Sequence, residues 1–162
     1  MELIAAVLRL LVIALGAGVT LYLALFLFQR LTPGIDEWAE VARGNAAAGL
    51  LMGAVALSAA VIIRPIVAQP LWGLDLRTGR VVTAVFLEGI RLLLGMLVAV
   101  GAVTLAAWLY NILTRGIVES TELRLGNVAV GLVQSAVILS TALLLSEPAA
   151  AAVRALLEAV FR

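Results

Sequence analysis

Four stretches of this chain run without a charged side chain: residues 10–28 (19 residues), 46–63 (18), 92–113 (22) and 128–146 (19). A helix rises about 1.5 Å per residue, so about 20 apolar residues cross a hydrocarbon core of about 30 Å. With its flanking residues each stretch is long enough. None alternates polar with apolar residues, and lipid admits only helices or closed barrels. The expected fold is therefore all-α, a polytopic membrane protein with four transmembrane helices. Composition points the same way. The 162 residues are 64% hydrophobic and 13% charged, with a mean hydropathy of +1.18. A soluble domain is nearer half apolar and a quarter charged. Such an excess cannot be hidden inside one small core, so membrane lipids are the expected solvent for much of the surface.

The chain also repeats itself. Residues 31–50 read LTPGIDEWAEVARGNAAAGL and residues 113–132 read LTRGIVESTELRLGNVAVGL, identical at 11 of 20 positions at an offset of 82. Arg9-Leu10-Leu11 matches Arg91-Leu92-Leu93 at the same offset. Spans one and two thus recur as spans three and four. A unit with an even number of spans returns the chain to its starting side, so the reading is a tandem 2+2 parallel repeat, not an inverted one. A charged start gives the first run the look of a secretion signal. Its length, the absence of a small-residue cleavage site after it and its recurrence in mid-chain favour a span.

The expected units are residues 1–68, a linker at 69–80, residues 81–147, and a C-terminal amphipathic helix at 148–162. Pro70, Gly73 and Thr78-Gly79 mark the linker as turns. Ser146 suits an N-cap and Pro148 a first helical turn. Arg154, Glu158 and Arg162 recur every four residues opposite Leu156, Leu157, Val160 and Phe161. This tail is too short to span. It either lies along the interface or packs on the bundle as a plain helical tail. Seven arginines (Arg9, Arg64, Arg77, Arg80, Arg91, Arg154 and Arg162) fall on the side of the termini, and four (Arg30, Arg43, Arg115 and Arg124) on the other. The positive-inside rule then places both termini in the cytoplasm.

The chain has no Cys or His, and all 11 basic residues are Arg. Thiol nucleophiles, imidazole acid–base chemistry, most zinc sites and Schiff-base lysines are thereby excluded. No enzymatic activity, metal or cofactor is expected. A net charge of +1 suggests no nucleic-acid partner.

The duplicated motif carries what chemistry there is. Glu37, Glu40 and Gly44, like Glu119, Glu122 and Gly126, are spaced i, i+3, i+7, which places all three on one helical face. Carboxylates near a helix N-terminus gain about 0.3–1 kcal/mol from the macrodipole, and a start that works once can simply be copied. Yet the neighbours diverge (Asp36 against Val118, Trp38 against Ser120, Arg43 against Leu125) while the acids do not. Four carboxylates at one level could form a collar that selects cations at a pore mouth. Nothing completes an oxygen cage for a divalent ion.

Asn45 and Asn127 open the second and fourth spans. Behind them come Gly49 and Gly53, or Gly131 and Ser135, a small-every-four stripe suited to helix packing, with Asn able to bond across the contact. Gly44 and Gly126 could instead bend the chain where a short segment meets a span. Gln134 at mid-membrane suggests a contact or a wet cavity. Arg9 and Arg91 read as interfacial anchors that snorkel to headgroups, and Glu88 can pair with Arg91 at i+3. Phe28, Trp38, Trp108 and Tyr110 read as an aromatic belt, and Trp72 as its opposite number.

Paired spans, each preceded by Thr-x-Gly, Glu-x-x-Glu and Gly-Asn-x-Ala, resemble the bacterial YjfL-like inner-membrane proteins, the family known as domain of unknown function 350. The resemblance covers nearly the whole chain. It implies a multi-pass protein of the bacterial inner (cytoplasmic) membrane, makes Gly44, Asn45, Gly126 and Asn127 signature residues, and assigns no activity. Four thin spans cannot enclose much of a channel alone. The expected function is therefore an ion or small-solute pathway in a homo-oligomer, with Glu37, Glu40, Glu119 and Glu122 at the mouth and Asn45, Asn127 and Gln134 deeper. The alternative is a non-conducting scaffold that binds a membrane or cytosolic protein, or lipid.

Overall fold

The computed structural model describes residues 2–31, 34–68, 81–114 and 119–161. They form α1 (Glu2–Leu31), α2 (Glu37–Ala42), α3 (Ala46–Ala68), α4 (Val81–Leu113), α5 (Glu119–Arg124) and α6 (Val128–Phe161). The order long, short, long occurs twice. The expected linker at 69–80 with Trp72, and Thr32, Pro33, Arg115 and Gly116, lie outside the described residues.

The four long helices each contain a stretch long and apolar enough to cross a bilayer: Ile13–Arg30, Ala46–Ala68, Phe86–Ile112 and Val128–Val160. Leu and Ala dominate them, so helix propensity is high, and a helix lets the backbone groups of a span bond within the segment itself. At 23 residues α3 is about 35 Å long, close to the hydrocarbon thickness. With 30, 33 and 34 residues, α1, α4 and α6 run beyond it.

The helices pack through two layers of small and branched side chains. One gathers Phe28 of α1, Ala47, Leu51, Met52 and Val55 of α3, Val103, Ala106 and Ala107 of α4, Leu123 of α5 and Ile138 of α6. The other joins Ala24, Ala59, Ile62, Ile63 and Ile66 to Leu92, Ala99, Ala102 and Ala142. Residue numbers rise together along α3 and α6 from one layer to the next, so these two helices run side by side in the same direction. They approach closely at Gly131. A Cβ added there would stand 2.9 Å from the Ala47 carbonyl oxygen and 3.1 Å from Ala47 Cβ. Backbone cannot yield as a flexible side chain can. Gly131→Val is therefore expected to cost about 2–3 kcal/mol, read as an earlier thermal transition in detergent. Gly101→Val, at an exposed site with nothing within 4 Å, should leave the transition in place.

The tail departs from expectation. α6 continues unbroken from Val128 to Phe161, with Pro148 inside it, so residues 148–161 are not a separate helix. Ser146 does not cap a new start; its hydroxyl donates to the Leu143 carbonyl at 2.9 Å. Pro148 removes one backbone hydrogen bond. Ala149, Ala150, Val153 and Leu157 are nonetheless buried in the second layer, and that burial offsets the loss. The tail packs on the bundle.

Candidate functional site

The two Glu-to-Asn segments fold into the same turn. α2 and α5 each end at a glycine in the left-handed region, Gly44 with φ +81° and Gly126 with φ +76°, where side chains with a Cβ are strained. The Gly44 N–H donates to the Val41 carbonyl at 2.9 Å and the Asn45 N–H to the Glu40 carbonyl at 3.0 Å. Gly126 to Leu123 at 3.0 Å and Asn127 to Glu122 at 2.9 Å repeat the pattern. This pair of bonds is the Schellman closure of a helix C-terminus.

The same asparagine opens the next helix. Asn45 Oδ1 accepts from the N–H groups of Ala47 (3.0 Å) and Ala48 (3.2 Å), and Asn127 Oδ1 from those of Ala129 (3.2 Å) and Val130 (3.4 Å). That is N-capping. Each amide nitrogen then donates to the preceding glutamate, Asn45 to Glu40 at 3.0 Å and Asn127 to Glu122 at 2.7 Å. The segment thus ends one helix, starts another and braces the corner with a carboxylate.

The corners adjoin. Asn45 Nδ2 also donates to the Leu123 carbonyl at 2.6 Å, 78 residues away in sequence. A Cβ on Gly34, itself at φ +118°, would lie 3.4 Å from Ser120 Cβ, and one on Gly126 would lie 3.9 Å from Asn45 Oδ1. The second corner makes no return bond of this kind among the described residues; the side chain of Asn127 bonds only within its own turn among them. Two further contacts distinguish the copies. Arg43, whose counterpart is Leu125, bridges to Glu40 at 2.6 Å, and Asp36, whose counterpart is Val118, caps α2 through the Ala39 N–H at 3.1 Å.

The acids are not equally placed. Glu37 is fully buried and Glu40 nearly so, whereas Glu119 and Glu122 are half-buried. Glu119 Oε1 is bonded by the Thr114 hydroxyl. The expected single face through Gly44 and Gly126 does not exist, because α2 and α5 stop at Ala42 and Arg124 and the chain turns. The stripes differ as well. Gly131 and Ser135 face α3, but Gly49 and Gly53 have open space where a Cβ would stand, and Gly53 is exposed. The packing role expected of Gly49 and Gly53 is therefore not fulfilled within the chain, since α3 turns a different face to α6.

Gln134 is buried, as are Ser58 and Ser135. Gln134 Oε1, Ser58 Oγ, Ser135 Oγ and Thr104 Oγ1 have no hydrogen-bond partner among the described residues. Other span hydroxyls turn back on their own helix, Thr20 to the Gly16 carbonyl at 2.7 Å and Thr141 to that of Val137 at 2.8 Å. From Asn127, Gln134 and Ser135 stand about 10–12 Å down α6, and Ser58 stands about 20 Å from Asn45 down α3. Among the described residues no group of three or more acids could hold a metal ion.

Arg91 does not snorkel. It is 3% exposed, donates through Nε to the Ile66 carbonyl and pairs with Glu88 Oε2 at 3.3 Å. The side chain of Arg9 lies outside the described residues. Of the aromatic belt, Trp38 and Trp108 face outward, but Phe28 and Tyr110 are turned into the bundle.

Sequence reasoning missed the capping role of Asn45 and Asn127. The signal was present, since Asn directly before an Ala-rich run and directly after Gly marks a helix start behind a helix stop. It also passed over Ser58 and Thr104 as bundle-facing oxygens, for which hydroxyls inside apolar runs were the available sign.

A family model described as Domain of Unknown Function (DUF350) matches the chain twice, over residues 2–87 and 82–161. The chain belongs to that family. Each match takes in one long–short–long set, with its Glu–Gly–Asn corner inside. No curated protein and no solved structure matches the chain.

Proposed function

We propose that this membrane protein of the DUF350 family works as a homo-oligomer built from tandem two-span units and provides a path for an ion or small polar solute. The observation that carries the reading is the set of buried span oxygens without hydrogen-bond partners among the described residues: Ser58, Thr104, Gln134 and Ser135. An orphaned buried polar atom costs about 1–3 kcal/mol, and the penalty is removed when water or a passing solute meets it. The set lies below a corner region that brings four carboxylates to one end of the chain. That sign of charge favours cations. The distribution of arginines supports an inner-membrane setting with both termini in the cytoplasm.

Proteoliposomes holding a potassium gradient test this. The wild type should dissipate the gradient faster than protein-free vesicles. Gln134→Leu should slow it about tenfold, the equivalent of losing one contact of about 1.4 kcal/mol at the barrier. Wild-type flux no greater than that of empty vesicles would end the proposal.

A second reading, the non-conducting scaffold, has one observation in its favour. Glu40 and Glu122 each spend an oxygen on the asparagine of their own corner, so architecture alone accounts for their recurrence. An intact oligomer with no flux would decide for it.

A further inference from the structure

The contact between α3 and α6 joins two different surfaces. α3 contributes the face of Ala47, Leu51, Val55 and Ser58. α6 contributes the face of Gly131, Ser135, Ile138 and Ala142. Because α6 repeats α3 at an offset of 82, each of these residues has a twin on the other helix.

Most of the twins are uncovered; Ala56 and Val137, twins of Ile138 and Val55, are half-buried. Gly49, twin of Gly131, and Gly53, twin of Ser135, would meet nothing within 4 Å on gaining a Cβ, and Ala60, twin of Ala142, is exposed. On α6, Ala129, Val133 and Ser140, twins of Ala47, Leu51 and Ser58, are all exposed. A two-fold relation between the helices would bring Gly49 against Ala129 whenever Gly131 meets Ala47. It does not, so the contact is head-to-tail, and a head-to-tail contact leaves one free half at each end of the pair. Outward apolar faces alone would suit lipid. These two faces are distinguished by being the counterparts of surfaces that already fit each other in the same molecule. α3 and α6 also run in the same direction, so a further copy added in this way enters the membrane in the same orientation.

We propose that a second copy of this chain occupies them: the Ala129–Val133–Ser140 face of α6 docks on the Gly49–Gly53 face of α3 in the next copy, reproducing between chains the contact made within one. Gly49 then does for the neighbour's Ala129 what Gly131 does for Ala47, letting two backbones approach closely. Repetition of such a contact closes a ring if the rotation permits. The inference names the interface of the oligomer proposed above and rests on that reading only for the association of copies.

The chain has no cysteine, so paired cysteines report the contact directly. Gly49→Cys combined with Ala129→Cys should give disulfide-linked multimers in oxidised membranes, and either substitution alone should give none. Dimers from Gly49→Cys alone, or no multimers from the pair, would overturn the interface. Gly49→Leu supplies an independent readout. In chains dispersed singly in detergent it should leave the thermal transition unchanged, because the site is open within one chain, while native mass spectrometry of the assembly shows it falling to single chains. An assembly that keeps its mass in Gly49→Leu overturns the interface and leaves the oligomer standing. Loss of potassium flux in the wild type bears on the pathway alone.

Discussion

Replacing Arg91 with methionine should destabilise the folded bundle by about 3–5 kcal/mol, the range for removing one partner of a buried pair. The size follows from what the guanidinium holds. Ile66 is among the last four residues of α3, which ends at Ala68, so its carbonyl has no donor inside the helix. Four residues on, the donor would be residue 70, a proline without an N–H. Arg91 supplies the missing bond and at the same time faces Glu88. With methionine there, a carboxylate that is 8% exposed loses its cation and a helix end loses its donor. Pairing the change with Glu88→Gln should recover a large part of the loss, because a buried amide is far less costly than a buried charge. Unfolding in mixed micelles measures all three variants. A cost below about 1 kcal/mol for Arg91→Met would show a contact no stronger than an exposed ion pair.

The two corners offer a sharper comparison, since they are the same turn in two settings. Asn127→Leu removes an N-cap, worth about 1 kcal/mol, and the hydrogen bond to Glu122, worth about 1 kcal/mol more. Asn45→Leu removes the equivalents and also the bond to the Leu123 carbonyl. It should therefore cost about 3 kcal/mol against about 2 kcal/mol for Asn127→Leu. The difference is the contribution of the one asparagine bond between the two halves of the chain. Equal losses in the same unfolding assay would mean that this bond adds nothing to stability.

The corners also show how far a sequence carries. The matched Gly-Asn pairs mark a bend before a span, and the bend is there. Its mechanism is local: a left-handed glycine, a closing pair of backbone bonds and a capping amide all lie within a few residues of one another. Asn at the start of a span suits packing and capping alike, and its place directly after Gly and before an Ala-rich run is the sign of a helix start. For Arg91 the sequence permits both outcomes. A long cationic stem reaches headgroups or a neighbouring helix with equal ease, and the choice depends on an unsatisfied carbonyl 25 residues away. Pro148 poses the same kind of problem. A proline after Ser-Glu has the form of a helix start, and only the burial of Ala149, Ala150, Val153 and Leu157 keeps α6 continuous.

The four spans, the helical class and the family were legible in the sequence itself, because bilayer thickness and the missing water of the lipid core act on each segment separately. Which face each span turns inward was decided only by the tertiary structure. Gly49 and Gly131 sit four residues behind identical Gly-Asn corners, yet one faces open space and the other a backbone. Local sequence cannot separate them. A helix buries whichever face its neighbours reach: α3 turns its Ala47 side to α6 and leaves Gly49 open, whereas α6 turns its Gly131 side to α3.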